Sequence, residues 1–255
     1  MSPTTPKEAS VLTTSEKALV ALQFRFYDDR YDQNLDKLVT LTERAPDDAV
    51  VVAPELCLTH FSFDKMEAAA AFGEKAKPTL RKLSEKKMLT LTMTEKIDGG
   101  FYNCAKIFYR GEEVYSQPKV KLFTFGNEDK YFLPGSAEKI KIVELDGIRY
   151  CILVCFEIRF IALWQRIQGA DIIMIPALWG KLRKRQLETI TDAMAVINQA
   201  YVVVSDSANE DMAASSGIIT PFGESFRDDS SEYISHTADL REIKKMRRYM
   251  DTGLT

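Results

Sequence analysis

Residues 148–176 read IRYCILVCFEIRFIALWQRIQGADIIMIP, and this stretch decides the fold. Its opening run, Ile148–Cys155, is almost entirely apolar and predicts a strand. Four apolar residues then recur at the i, i+3, i+4, i+7 spacing of one helix face: Phe160, Leu163, Trp164 and Ile167. A second apolar run, Ile172–Ile175, ends at a proline and predicts a buried strand. Strand, helix and strand in this order indicate a layered α/β domain.

The same mixture of periods continues on both sides of this stretch. Alternating or continuous apolar residues predict further strands at Val20–Phe26, Val50–Ala53, Leu89–Met93, Tyr201–Val204, Ile218–Phe222 and Tyr233–His236. Leucines three apart predict a helix over Leu35–Leu41, and Leu187–Ile197 has the spacing of another. Residues 64–87 are expected to form two helical pieces, because Pro78 suits a first helical turn better than a helix interior.

The chain shows no internal repeat or linker between residues 18 and 255, so we expect one α/β domain there. Met1–Lys17 is polar and rich in Ser and Thr, without the basic start and apolar centre of a secretory signal. We therefore expect Met1–Lys17 to be a flexible tail on a cytoplasmic protein. A charged tail is expected from Asp239 to the end.

Composition excludes several classes of function. Of the 255 residues 45% are hydrophobic, which is ordinary for a globular protein and too high for a disordered chain. Thirty-four basic residues face 37 acidic ones, so there is no broad positive field for nucleic acid. No apolar run approaches the roughly 20 residues of a membrane helix. These counts argue against nucleic acid and a membrane as partners.

The chain contains four cysteines and only two histidines, His60 and His236. In a reducing compartment the cysteines are expected to be free thiols. There is no Cys-x-x-Cys motif and no histidine pair at ligand spacing, so the sequence predicts no metal site. Because histidine is scarce, a hydrolase built on this chain would have to take its general base from the carboxylates.

Four chemically useful residues follow predicted strand ends, where ligands gather in open α/β sheets: Glu55, Lys119, Cys155 and Trp179. Each also has a structural explanation on its own. Cys155 could be a small core hydrophobe, Glu55 a surface carboxylate and Lys119 part of a solvated face. Taken singly, the residues favour those structural readings.

Longer motifs change this balance. The segment Val51–Glu55 resembles the strand-then-Glu motif of the nitrilase superfamily, the carbon–nitrogen hydrolases. Tyr115–Phe123, which contains Lys119, resembles its lysine motif, and Cys155–Phe160 resembles its nucleophile motif, Cys-Tyr-Asp-Leu-Arg-Phe. The nucleophile context is more similar to ω-amidase and deaminated-glutathione amidase relatives than to true nitrilases. The resemblance runs from residue 18 onward in the family's order, with Lys121 replacing a histidine and Glu157 replacing an aspartate.

The resemblance implies a four-layer α-β-β-α sandwich that pairs through its helical layers as a homodimer or larger homo-oligomer. It also implies a catalytic set of Glu55, Lys119 and Cys155, with Glu128 as an additional glutamate that positions the lysine or the substrate. Phe156 would bind the substrate through its backbone N–H, and Trp179 would either wall the pocket or pack against the sheet. The implied reaction is hydrolysis of a small linear amide, possibly a dicarboxylic acid monoamide, through a thioester and without cofactor or metal.

Several alternatives remain open on the sequence. The same fold could hydrolyse an N-carbamoyl amide, or the chain could be a catalytically silent scaffold. A papain-like enzyme would require His60 or His236 beside Cys155. Arg159 could bind a substrate carboxylate, or it could pair with Glu157 or Glu55.

Overall fold

The computed structural model describes residues 15–254, and two six-stranded sheets form its centre. The strands are β1 (Glu16–Leu22), β2 (Val50–Val52), β3 (Met88–Ile97), β4 (Gly100–Tyr109), β5 (Glu112–Pro118), β6 (Val143–Leu145), β7 (Ile148–Ile152), β8 (Ile172–Pro176), β9 (Tyr201–Ser205), β10 (Gly217–Ile219), β11 (Ser225–Arg227) and β12 (Tyr233–Asp239). The first sheet has the order β12-β1-β2-β3-β4-β5, and the second has the order β11-β10-β9-β8-β7-β6.

Parallel strands form the middle of each sheet. In the first sheet β1, β2 and β3 are parallel, and in the second β7, β8 and β9 are parallel. The outer strands are all antiparallel to their neighbours. The predicted strand–helix–strand unit over residues 148–176 is confirmed, although its first strand ends at Ile152, three residues before Cys155.

The two sheets pack face to face, and helices cover their outer sides. The helices are α1 (Tyr31–Glu43), α2 (Met66–Leu83), α3 (Ile161–Arg166), α4 (Lys184–Asn198) and α5 (Arg241–Tyr249). Val50 and Val52 point into the core shared with the second sheet, whereas Val51 packs on the side of α1 and α2. Both faces of β2 are thus buried, which explains its continuous apolar run. The architecture is the expected α-β-β-α sandwich.

Two predictions about helices are wrong. Residues 66–83 form a single helix with Pro78 inside it, because apolar residues on one face of α2 pack against the first sheet and outweigh the lost N–H. The expected charged tail after Asp239 instead contains α5. Two apolar residues three apart, Ile243 and Met246, are buried there, and this packing holds a helix that is otherwise almost entirely charged.

Strand β1 begins inside the predicted tail. Glu16 and Lys17 pair with Asp239 and Ala238 of β12, so these two residues belong to the sheet. The rest of the prediction for Met1–Lys17 lies almost wholly outside the described residues. Within residues 15–254 no helix combines the length and the apolar composition needed to cross a membrane.

Replacing Ile173, in the centre of β8, tests the packed double sheet. Ile173 is fully buried, so Ile173→Ala should lower the free energy of unfolding by about 2–5 kcal/mol through lost burial and the cavity left behind. Ile161, the first residue of α3, is 70% exposed and provides the matched control. Ile161→Ala should change stability by no more than about 0.5 kcal/mol in urea unfolding. Equal effects of the two substitutions would contradict the burial of β8 between layers.

Candidate active site

Three residues singled out in the sequence meet in one buried cluster. The Nζ atom of Lys119 donates to Oε1 of Glu55 at 2.7 Å and to Oε1 of Glu128 at 2.9 Å. Lys119 and Glu55 are fully buried, and Glu128 is nearly so. An ammonium between two carboxylates, shielded from water, is costly unless its geometry is well held. The surrounding backbone supplies that support.

Glu55 is held from both sheets. It follows Pro54 just beyond β2, and its backbone N–H donates to the carbonyl of Ala177, just beyond β8, at 3.1 Å. The side-chain amide of Asn103 on β4 donates to Glu55 Oε1 at 2.8 Å. The other carboxylate oxygen, Oε2, is buried and accepts no hydrogen bond from any residue in the described part of the chain. One oxygen of Glu55 is therefore fixed, and the second is left unused.

The segment carrying Lys119 is pinned at the end of β5. The Lys119 N–H donates to the carbonyl of Asn103 at 2.8 Å, and the Lys119 carbonyl accepts from the Gly135 N–H at 2.8 Å. A Cβ atom at Gly135 would lie 2.4 Å from the carbonyl oxygen of Pro118, so only glycine permits this approach. Gly135 thus brings the Glu128-containing loop back against Lys119.

Glu128 lies in a short 3₁₀ turn, Glu128–Lys130, of that loop. While Oε1 accepts from Lys119, Oε2 accepts from the backbone N–H of Phe123 at 3.1 Å. Burial raises the pKa of Glu128, and the nearby negative charge of Glu55 raises it further, whereas Lys119 lowers it. The carboxyl group of Glu128 is thereby anchored to the loop and aimed at the lysine.

Cys155 stands at the start of the turn after β7. Its φ of 50° lies in the left-handed region of backbone conformation. That conformation is unfavourable for a residue with a side chain, and residues held in it recur at functional sites. Its Sγ lies 3.9 Å from the carbonyl oxygen of Leu178. Burial raises the pKa of the Cys155 thiol well above its usual value and the charge of Glu55 adds to this, while Lys119 opposes it. The resting group is therefore a neutral thiol close to a carboxylate and an ammonium.

Glu157 has a role that the sequence did not reveal. Its Oε2 accepts from the Val154 N–H at 2.7 Å, and its Oε1 accepts from the Val120 N–H at 2.6 Å. One fully buried carboxyl group therefore ties the residue before Cys155 to the residue after Lys119. Burial raises the pKa of Glu157 to about 7. The only sequence signal was its position two residues after the cysteine, and periodicity could not show the contact with residue 120.

Asp206, directly after β9, was also missed. It is fully buried, and its Oδ1 accepts from the backbone N–H groups of Trp179 at 3.0 Å and Ser207 at 2.9 Å. Burial raises the pKa of Asp206 to about 7. Asp206 therefore holds the backbone of Trp179 in place. A polar residue at the carboxyl end of a parallel strand was the signal that could have identified it.

A small cleft opens over Cys155. It is lined by Phe123, Cys155, Phe156, Arg159, Leu178, Trp179 and Arg183. Phe156 and Trp179, both named from the sequence, thus lie in the same cleft as the cysteine. Neither histidine lines it: the His60 ring packs against Phe26 at 5.7 Å, and the His236 ring stacks on Phe226 at 4.1 Å. The papain-like alternative has no histidine in this cleft.

The four cysteines are all free thiols, as expected: Cys57, Cys104, Cys151 and Cys155. Burial raises the pKa of the first three thiols, and of these four only Cys155 lines the cleft. Between residues 15 and 254 no group of three or more His, Cys, Asp or Glu side chains is placed to hold a metal ion.

The raised pKa of Glu157 predicts a pH-dependent contribution to stability. Because its folded-state pKa of about 7 lies above the usual 4.5, this carboxyl group stabilises the fold most at low pH, and that contribution is lost as the pH rises through about 7. In Glu157→Gln the side chain cannot ionise, and its NH₂ group must face one of the two backbone N–H groups that the carboxyl group accepts from. The stability advantage of wild type over this variant should shrink by roughly 2–3 kcal/mol between pH 5 and pH 8.

Urea unfolding at the two pH values measures this difference. Glu138 is exposed and serves as the control, since Glu138→Gln should leave the free energy of unfolding within about 0.5 kcal/mol of wild type at both pH values. A wild-type advantage over Glu157→Gln that stays constant or grows with pH would contradict the assignment.

The chain is similar to several known proteins. Residues 18–248 match the family model described as carbon-nitrogen hydrolase. The chain is 25% identical over 206 residues to the deaminated glutathione amidase of Escherichia coli O157:H7, covering 76% of this chain and 79% of the relative. It is 27% identical over 241 residues to the 2-oxoglutaramate amidase of Bacillus subtilis strain 168, covering 89% of this chain and 92% of the relative.

The fold has a solved counterpart as well. The structure of Nit3 from Saccharomyces cerevisiae, described as a member of branch 10 of the nitrilase superfamily, superposes with a TM-score of 0.84 at 21% sequence identity. The match covers 93% of this chain and 95% of that one. A likeness at this identity shows the fold, and the family model, which spans nearly all of the chain, shows the relationship. The chain belongs to the carbon-nitrogen hydrolase family.

Proposed function

We propose that this protein hydrolyses the C–N bond of a small linear amide to a carboxylic acid and ammonia, through a thioester on Cys155. The observation that carries the proposal is the buried contact of Lys119 with Glu55 and Glu128 beside a cysteine that lines a cleft. A buried cation held at a thiol is expensive to maintain for structure alone. Its chemical use is stabilisation of negative charge that forms during a reaction.

Glu55 acts as the general base in the first step. Its Oε1 is already occupied by Lys119 and Asn103, so the unused Oε2 is the oxygen that takes the thiol proton. Because the pKa of Cys155 is raised, a preformed thiolate is disfavoured. The proton therefore leaves as sulfur attacks the amide carbon, and the new S–C bond forms while Oε2 gains the proton.

Lys119 stabilises the oxyanion that this attack creates. Its Nζ carries three N–H donors, of which two are used by Glu55 and Glu128, so a third remains for the substrate oxygen. The backbone N–H of Phe156 is the second proposed donor. Removing one such preorganised donor typically costs about 3–4 kcal/mol in transition-state stabilisation. A carboxylate in place of Lys119 would repel the oxyanion.

Collapse of the tetrahedral intermediate completes acylation. The C–N bond breaks, the nitrogen takes the proton from Glu55 and leaves as ammonia, and the acyl group stays on Sγ as a thioester. Water then gives a proton to the Glu55 carboxylate and attacks the thioester carbon. Collapse of the second intermediate releases the carboxylic acid and returns the proton from Glu55 to sulfur, so the enzyme emerges unchanged without cofactor or metal.

Glu128 serves as a positioning residue in this scheme. It fixes Nζ of Lys119 and is itself anchored to the Phe123 N–H. Two carboxylates around one ammonium also keep Lys119 protonated: the charges of Glu55 and Glu128 raise its pKa and outweigh desolvation. A permanently charged lysine is what oxyanion stabilisation requires.

The proposed substrate class is a dicarboxylic acid monoamide. The names of the relatives support it, since a 2-oxoglutaramate amidase and an omega-amidase of Escherichia coli strain K12 are both among them. An N-carbamoyl amide is the alternative substrate on the same site. It would release carbon dioxide together with ammonia, so the products distinguish the two reactions.

We also propose that the cytoplasmic protein is a homodimer paired through its helical layers. Near the end of α4, Val196 and Ile197 are exposed on the outer face. Exposed Phe222 and Met250 belong to neighbouring segments, because Gly223 lies against Val196 and the Met250 carbonyl accepts a hydrogen bond from Gln199. An apolar patch of this kind on a helical layer supports pairing there.

Ammonia release from a panel of ω-amides, aliphatic amides, carbamoyl compounds and nitriles tests the proposal. One ω-amide class should be turned over, and Cys155→Ala should lower kcat by at least about 10³-fold, because no nucleophile remains. Glu55→Gln should lower it comparably, since the base is lost. Cys151→Ala is the matched control: Cys151 is fully buried in β7 and away from the cleft, so turnover should persist.

Two results of this assay would overturn the mechanism. Equal turnover by wild type and Cys155→Ala would remove Cys155 as the nucleophile. Absence of turnover by wild type across the whole panel would favour the catalytically silent scaffold.

A further inference from the structure

Asn103 is hydrogen-bonded to two members of the buried cluster. Its backbone carbonyl accepts from the Lys119 N–H at 2.8 Å, and its side-chain NH₂ group donates to Glu55 Oε1 at 2.8 Å. Asn103 lies on β4 two residues from Ala105, which packs in the core shared by the two sheets. Because side chains alternate along a strand, the Asn103 side chain lies on the same inner face, and it is fully buried there.

The side-chain oxygen of Asn103 has no partner in the described chain. A carboxylate oxygen only accepts, so the group that faces Glu55 Oε1 must be the NH₂ group, and Oδ1 points elsewhere. Oδ1 is buried and accepts no hydrogen bond from any residue between 15 and 254, and the same is true of Glu55 Oε2. Leaving a buried acceptor unpaired is costly. Two such acceptors on adjoining side chains therefore point to a ligand that brings N–H donors.

Lys119 supplies the complementary donor in this cluster. Its Nζ uses two N–H groups on Glu55 and Glu128, which leaves the third available to a ligand. The cluster thus offers one donor, from Lys119, and two acceptors, Glu55 Oε2 and Asn103 Oδ1. A primary amide carries the opposite set, namely one carbonyl oxygen and two N–H groups on one nitrogen. The open hydrogen-bonding positions of the cluster therefore match a primary amide.

We propose that Asn103 binds the nitrogen of the substrate amide, with Oδ1 accepting one N–H group while Glu55 Oε2 accepts the other. This inference rests on the proposed amide hydrolysis, and it makes Asn103 a residue that selects primary amides. A carboxylate oxygen has more than one lone pair, so Oε2 can accept the amide N–H and still take the thiol proton. The hydrogen bond to Oδ1 orients the amide so that its carbonyl oxygen faces Lys119. The same bond holds the nitrogen while it takes the proton from Glu55 and leaves.

The alternative is that Asn103 only orients Glu55. Its NH₂ group and Lys119 together fix Glu55 Oε1, and that contact would serve every ligand alike. The two roles differ for ligands that keep the carbonyl oxygen and lose the N–H groups. Glutaramate and 5-oxohexanoate form such a pair, because a methyl group replaces the amide NH₂ group and the rest of the molecule is identical.

Calorimetric titration of these two probes into the Cys155→Ala protein measures binding without turnover and without addition of sulfur to the ketone. Glutaramate should bind at least about 10-fold more tightly than 5-oxohexanoate, as expected for hydrogen bonds to two buried acceptors. A site without acceptors would prefer the ketone, because the amide loses more hydration on burial. Adding Asn103→Ala should weaken glutaramate binding by about 10-fold and leave 5-oxohexanoate binding within about twofold.

Asn198→Ala is the matched control. Asn198 is also a buried asparagine, and its side-chain NH₂ group donates to the Met194 carbonyl at 2.9 Å within α4. Its loss removes the same buried group outside the cluster, so the affinity for both probes should stay unchanged. Thermal unfolding of each variant checks that the fold persists. Asn103→Leu keeps the side-chain volume and leaves no room for a water molecule, so it provides the test if a trapped water replaces Oδ1 in Asn103→Ala.

The outcomes separate this inference from the proposed function. Equal affinity of Cys155→Ala for the two probes, no measurable binding of glutaramate, or an equal loss of both probes in the Asn103 variants would overturn the amide-nitrogen site. Cys155-dependent ammonia release by a protein that shows no preference for the amide probe would leave amide hydrolysis standing and overturn the assignment of Asn103. An Asn103-dependent preference for glutaramate in a protein that releases no ammonia from it would support the site and contradict the proposed reaction.

Discussion

The buried ammonium group of Lys119, bound between the carboxylates of Glu55 and Glu128, is the constraint that the rest of the structure satisfies. Withdrawing three ionised groups from water costs several kcal/mol per ion, and only short, well-oriented contacts offset it. Loss of Lys119 would leave two buried carboxylates without their cation. The cluster therefore requires rigid supports, and the two packed sheets provide them.

Those supports connect parts of the chain that are distant in sequence. The Glu55 N–H joins the end of β2 to the end of β8, so the two sheets meet at the cluster. Glu157 links the backbone beside Cys155 to the backbone beside Lys119, and Asp206 holds the segment carrying Trp179. Each of these contacts is a hydrogen bond made by a buried carboxyl group or a buried peptide group. These buried contacts hold the segments that carry Glu55, Lys119 and Cys155 in place.

The sequence predicted the layers of this fold more accurately than two local features, the helix that contains Pro78 and the helix α5. The strand–helix–strand order around Cys155 was correct, because both faces of the central strands are buried and their composition shows it. Pro78 was misjudged because packing of α2 on the sheet overrides local propensity, and α5 was missed because two buried apolar residues are too few for a periodic pattern. Motifs identified Glu55, Lys119, Glu128 and Cys155, whereas Glu157 and Asp206 make contacts across the fold that spacing does not encode.

The central claim is that Cys155 carries the acyl group during turnover, and trapping with hydroxylamine tests it most directly. Hydroxylamine added to wild-type protein turning over an ω-amide should compete with water for the thioester and yield the hydroxamate in proportion to its concentration. Rapid quenching and peptide mass spectrometry should find the acyl group on the peptide containing Cys155. Formation of the acid alone at every hydroxylamine concentration, with no acyl group on that peptide, would contradict the account.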